Sequence, residues 1–147
     1  MLKKISLLLC LFSLPTFADV TNLDNEGLKR LMDENVPVID IRRPEEWQQT
    51  GIIANSHLIT FFDNKGNYDI DAWTVKLNHI LEDDKKKPFV LICRTGNRTG
   101  RVSQFLDAKL DYTHVYNVKK GITEWIKQKE AVVKPELESK EKDSTKK

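Results

Sequence analysis

The sequence predicts an α/β fold in which a mostly parallel sheet is sandwiched between helices, and three observations predict it. Short apolar runs, Val36 to Ile41 and Phe89 to Cys93, have the length and the β-branched content of buried strands. Segments with apolar residues at helical spacing alternate with those runs, which calls for crossover connections, parallel strands and helices on both faces. The length suits one domain: beyond the first eighteen residues 129 remain, enough to bury roughly two-thirds of the unfolded surface without a disulfide.

The chain opens with "MLKK", an apolar run from Ile5 to Leu14, and "TFA" before Asp19. This is the pattern of a secretory signal peptide over residues 1–18, and the run is too short for a membrane-spanning helix of roughly twenty residues. Cys10 lies inside it and is expected to leave with it, since Leu8 and Leu9 stand where a lipoprotein site has small residues. A secreted, periplasmic location follows, with no membrane contact after cleavage. The domain is expected over residues 19–130, followed by a charged, disordered tail over 131–147 that ends in "KPELESKEKDSTKK".

Within the domain, Leu28, Leu31 and Met32 mark a first helix, with Asp24 and Glu26 placed to favour the positive end of its dipole. Val36 to Ile41 is a strand. Pro44 then suits the first position of a helix, and Glu45 and Glu46 read as helix-start charges rather than an acid/base pair. "HLITF" is a further strand, and "DNKGNYD" has turn composition. Trp73, Leu77, Ile80 and Leu81 form the apolar face of a helix from Asp71 to Leu81. After Pro88 comes the central strand, then a helix with Val102, Phe105, Leu106 and Leu110 at helical spacing. "HVYNV" is the last strand, Gly121 a turn, and "ITEWIKQ" a closing helix.

Charge excludes one class of partner. The 24 basic and 22 acidic residues become 22 and 22 once Lys3 and Lys4 are removed, so a neutral mature chain is not expected to bind nucleic acid. Cleavage also leaves a single cysteine, Cys93, without an intramolecular partner in a compartment that normally pairs its thiols. In open α/β sheets ligands bind beyond the carboxyl ends of the strands, and Cys93 stands at such an end.

"CRTGNRTG", residues 93–100, connects the central strand to the next helix. A short turn there can curl so that successive backbone N–H groups face one point, Gly96 and Gly100 supplying the conformational freedom. The following helix adds its own unpaired N–H groups and its positive end. A thiol in that position is expected to ionise below the ordinary value of about 8.5. Arg94 and Arg98 add positive charge in a geometry suited to an oxyanion such as thiosulfate, while Arg101 reads equally well as surface charge. His57, His79 and His114 fit no nucleophile–base pattern, and their separations of 22 and 35 residues fit no metal site. No metal and no cofactor are implied.

"VIDIRRPEEW", "GII", "CRTGNRTGRVSQFL" and "HVYNVKKGITEW" together resemble a single-domain rhodanese from about Asn22 to Lys129. The resemblance implies the rhodanese three-layer sandwich and a sulfurtransferase. It implies that Cys93 takes the outer sulfur of a small anionic donor, thiosulfate or another persulfide, and carries it as a persulfide. It then passes the sulfur to a thiol or cyanide acceptor, a protein thiol included. By position Arg94, Thr95, Gly96, Asn97 and Arg98 match the active-site loop, and Asp40 and Arg42 match an acidic and basic pair that supports the site. The chain departs from the family where Ile52 replaces a histidine, Asn55 and Ser56 replace a small pair, and Lys119 to Gly121 stands where two glycines are frequent.

Three other functions fit parts of the pattern. One group of cysteine phosphatases shares the rhodanese fold, but those enzymes place five residues between cysteine and arginine, whereas four separate Cys93 from Arg98. A non-catalytic module binding an anion or a partner is the second, against which the retained cysteine counts. The third, a thiol redox sensor, would need an external thiol to reset it.

Overall fold

The computed structural model describes residues 20–136. The expected signal segment with Cys10 and the end of the charged tail lie outside them. Five strands form one wholly parallel sheet: β1 (Thr21–Leu23), β2 (Val38–Asp40), β3 (His57–Leu58), β4 (Phe89–Ile92) and β5 (Val115–Val118), in the order β1-β5-β4-β2-β3. The helices are α1 (Asn25–Asp33), α2 (Pro44–Thr50), α3 (Ile70–Ile80), α4 (Asn97–Leu110) and α5 (Gly121–Lys127).

The period of two along β4 builds both layers of core. Phe89, Leu91 and Cys93 point to one face, where Trp73 and Leu77 of α3 and Val102 and Leu106 of α4 cover them. Val90 and Ile92 point to the other, against Leu28 of α1 and Ile122 and Trp125 of α5. A central strand covered on both faces has no solvated side, hence the unbroken apolar run that marked it in the sequence. This is the three-layer sandwich expected.

Two edge strands account for part of the difference from the sequence reading. β1 was not anticipated: of "TNL" only Leu23 is buried, and an edge strand needs no continuous apolar run. Of the expected strand "HLITF", only His57 and Leu58 join the ladder, beside β2. Phe105, placed by its spacing on the core face of α4, is instead exposed.

Residues just past 130, where the tail was expected to begin, make backbone contacts with the domain. Val133 pairs antiparallel with Ile52, the N–H of each donating to the other's carbonyl at 2.8 and 2.9 Å, and Trp125 Nε1 donates to the Ala131 carbonyl at 2.9 Å. Ile52, where the family pattern has a histidine, is therefore a buried partner of this return segment.

Candidate active site

Cys93 follows the last residue of β4, at the carboxyl end of the sheet, and three residues separate it from the start of α4. Within residues 93–100 the turn itself is short, because Asn97 and Arg98 already belong to the helix. Gly96 makes so tight a connection possible. It has φ +85°, and a Cβ there would lie 2.1 Å from the Lys119 carbonyl oxygen, so no side chain fits. Gly100, expected to share this duty, is an ordinary helical residue with room for a methyl group.

The start of α5 holds the other side of the loop. Gly121 has φ +58°, and a Cβ on it would lie 2.4 Å from the Cys93 carbonyl oxygen. This close approach lets the Ile122 N–H donate to the Cys93 carbonyl at 2.9 Å, while the Thr123 N–H and hydroxyl donate to the Arg94 carbonyl at 3.1 and 2.8 Å. The Cys93 and Arg94 carbonyls are thus taken by α5 on one side of the loop. The Gly96 N–H donates to Cys93 Sγ at 3.2 Å. Thr99 Oγ1 lies 3.3 Å from the same sulfur, a contact in which either atom can donate, and donates to the Gly96 carbonyl oxygen at 3.2 Å. No side chain caps α4, whose first-turn N–H groups remain available at the sulfur's end of the helix.

Cys93 has no exposed surface and joins the core cluster on the α3/α4 face. Its surroundings are nevertheless polar on one side, where the Gly96 amide and the Thr99 hydroxyl reach it. Arg94, Thr95 and Asn97 point outward and are exposed. Thr99 was not singled out in the sequence, although a hydroxyl residue directly after Arg98 was the available signal.

Arg98 departs most from expectation. Its guanidinium is a two-pronged partner of Glu46 on α2, Nη1 donating to Oε2 at 2.9 Å and Nη2 to Oε1 at 2.6 Å. Glu46 also accepts from the Arg43 N–H at 3.1 Å. The carboxylate read as a helix-start charge thus joins α2 to the cysteine loop, and the arginine read as an anion ligand already holds an anion. Burial pushes the Glu46 carboxyl up, but the hydrogen bonds and charges of Arg98 and Arg43 outweigh it and hold the group below its ordinary range. Arg98 is held above its ordinary value by the bonds from Glu46, against burial, with a further contribution from the adjacent Cys93.

Asp40 and Arg42 form a buried pair, each 1% exposed, with Arg42 Nη2 donating to Asp40 Oδ2 at 2.7 Å. Arg42 also donates to Thr50 Oγ1 at 2.7 Å and to the Gly51 carbonyl at 2.9 Å. These bonds brace the end of α2, the helix that carries Glu46. Asp40 is in register with Ile92 and so lies on the face opposite Cys93. Arg101 is exposed beside a small cavity of about 170 Å³ lined by Phe61, Phe62, Tyr68 and Phe105. His57 opens β3 and His114 precedes β5, at the amino ends of the strands and away from Cys93. Among the described residues no group of His, Cys, Asp and Glu is arranged to hold a metal.

Comparison with known proteins agrees with this geometry. Residues 24–128 match the model of the rhodanese-like domain. A rhodanese domain-containing protein of Drosophila melanogaster is 34% identical over 100 residues, covering 67% of this chain and 87% of its own. Among solved structures, the polysulfide-sulfur transferase of Wolinella succinogenes superimposes with a TM-score of 0.56 at 21% identity, over 83% of this chain and 84% of that one. A Rhodopseudomonas palustris protein described as a possible tyrosine phosphatase superimposes with a TM-score of 0.59 at 20% identity, over 78% and 85%. At those identities the two structures speak for the fold, whereas the family model spans most of the chain and every element from α1 to α5, so the chain belongs to the rhodanese-like domain family.

Proposed function

We propose that the protein is a secreted, periplasmic sulfurtransferase that carries sulfane sulfur on Cys93. What supports the reading is the position of one atom. Cys93 Sγ lies at the uncapped start of α4 and receives the Gly96 N–H, on a loop whose Cys93 and Arg94 carbonyls are tied back by α5. An anionic sulfur suits that position whether it belongs to the thiolate or to the persulfide.

In the loading step the Cys93 thiolate attacks the outer sulfur of the donor. A new S–S bond forms, the donor's S–S bond breaks, and its electron pair leaves with the carrier, as sulfite from thiosulfate or as a thiolate from a persulfide. In the second step a thiol or cyanide attacks the terminal sulfur and Cys93 departs as thiolate. Thr99 serves both steps by turning its proton towards Sγ when the sulfur is anionic and towards the Gly96 carbonyl when it is not. Because Cys93 has no exposed surface, the loop has to open before a donor reaches the sulfur. The four residues between Cys93 and Arg98 make a shorter ring than the five of the phosphatases, which favours a sulfur-sized group over a phosphoryl group.

Incubation with thiosulfate or an alkyl persulfide, followed by intact-mass measurement, is expected to show the gain of one sulfur in the wild type and none in Cys93→Ser. The complete burial of Cys93 favours a second reading, a module that binds without turnover. Wild-type protein left unmodified by both donors would decide for it.

A further inference from the structure

We infer that Glu46 selects the class of sulfur donor, favouring hydropersulfides over dianionic donors such as thiosulfate; this rests on the sulfurtransferase reading. The arginine best placed to receive a donor's anionic group is already engaged through both terminal nitrogens by a carboxylate from a different helix, 52 residues away in sequence. That carboxylate is fixed in turn by the Arg43 N–H at 3.1 Å and is itself largely enclosed, its side chain 14% exposed. It does not swing aside without losing bonds at both ends.

The neighbouring cation is matched as well, since Arg43 Nε lies 2.7 Å from Glu45 Oε1. The first turn of α2 therefore cancels two arginine charges beside the loop. Arg94, Arg101 and the Lys119–Lys120 turn that packs against Gly96 remain, but all four side chains are exposed, where water and salt screen them.

A donor entering this site meets Glu46 as well as the Cys93 thiolate. Thiosulfate brings two negative charges: Cys93–S⁻ and S–SO₃²⁻ give Cys93–S–S⁻ and SO₃²⁻, and the departing sulfite keeps both charges next to Glu46. A hydropersulfide, R–S–SH, reacts with Cys93–S⁻ to give Cys93–S–SH and R–S⁻, with a single charge throughout. Repulsion from Glu46 grows with the charge on donor and leaving group, so it weighs on the first reaction more than on the second.

The test measures loading rates of Cys93 by quenching and intact mass, with thiosulfate and with 2-hydroxyethyl persulfide, whose carrier is uncharged. Both donors are run on the same sample of wild type, Glu46→Gln and Glu46→Asp, so that a loss of folded protein lowers both rates alike and leaves their ratio. The thiosulfate-to-persulfide ratio is expected to rise about tenfold in Glu46→Gln, the scale of a local electrostatic barrier in a partly screened site. It is expected to stay within about twofold of wild type in Glu46→Asp, which keeps the charge. An unchanged ratio in Glu46→Gln, or an equal change in both variants, overturns the inference while leaving sulfur transfer standing. A wild type loaded by neither donor overturns both.

Discussion

Replacing Gly96 by alanine, with Gly100→Ala as its companion, tests the account of the cysteine loop most directly. The two glycines are four residues apart and look equivalent in the sequence, yet the structure assigns them opposite responses. At Gly96 the backbone holds φ +85°, and a Cβ would lie 2.1 Å from the Lys119 carbonyl oxygen, 2.6 Å from its carbon and 2.8 Å from the Val118 carbonyl oxygen. The left-handed conformation alone costs a residue with a Cβ about 1–2 kcal/mol. The overlaps are with backbone that no rotamer change can move, so the total should exceed about 4 kcal/mol, in the range reserved for severe defects. At Gly100 the nearest atom to a new Cβ is Asn117 Nδ2 at 3.5 Å, an ordinary contact, and the residue is helical. Gly100→Ala should therefore gain about 0.5–1 kcal/mol from helix propensity. Urea unfolding followed by the fluorescence of the buried Trp47, Trp73 and Trp125 reads both changes. With a slope of about 1–3 kcal/mol per molar urea, Gly100→Ala shifts the midpoint upward by a few tenths of a molar. Gly96→Ala should lower it by more than about 1 M or leave no cooperative transition. A Gly96→Ala protein within about 1 kcal/mol of wild type, or a Gly100→Ala protein equally damaged, would refute the reasoning.

Three other outcomes are expected. Asp40→Ala strands the Arg42 guanidinium in a site 1% exposed, and it should lower stability by about 3–5 kcal/mol in the same urea assay. Arg98→Ala leaves Glu46 unpaired beside the sulfur and should slow loading by thiosulfate more than about tenfold, whereas Arg101→Ala, exposed on α4, should stay within about twofold; equal effects on the mass-detected rate would remove the distinction. Glu46 has a lower pKa folded than unfolded, so its stabilising contribution is complete above its ordinary value of 4.5 and is lost as the pH falls through the lower folded value. Denaturation midpoints taken from pH 6 downward should accordingly fall less steeply in Glu46→Gln than in wild type.

The parts of the fold legible in the sequence were those whose cause is local. The run "FVLIC" is apolar at every position because β4 is covered on both faces, and α3 showed through the spacing of Trp73 and Leu77. Edge strands left weaker traces. In β1 only Leu23 is buried, and β3 keeps two residues in the ladder, so neither imposes a pattern on its neighbours in the chain. Phe105 shows the opposite error, an apolar residue at helical spacing that stays exposed at the rim of the cavity it shares with Phe61, Phe62 and Tyr68. The return of Val133 to Ile52 was hidden by the charged composition that begins just after it, since a backbone bridge asks little of side-chain type.

The sequence by itself determined that a cysteine would end a central strand and be followed at once by a glycine turn and a helix, because strand, turn and helix each depend on residues within a few positions. It did not determine which glycine was strained, what Arg98 would hold, or which residues would fasten the loop. Those were decided when β5 brought Lys119 and Gly121 against Gly96 and Cys93, and when the buried Asp40–Arg42 pair set α2 so that Glu46 met Arg98. Steric exclusion and charge pairing act between atoms that are close in space, and a sequence separation of 52 residues leaves no mark of that closeness on local composition.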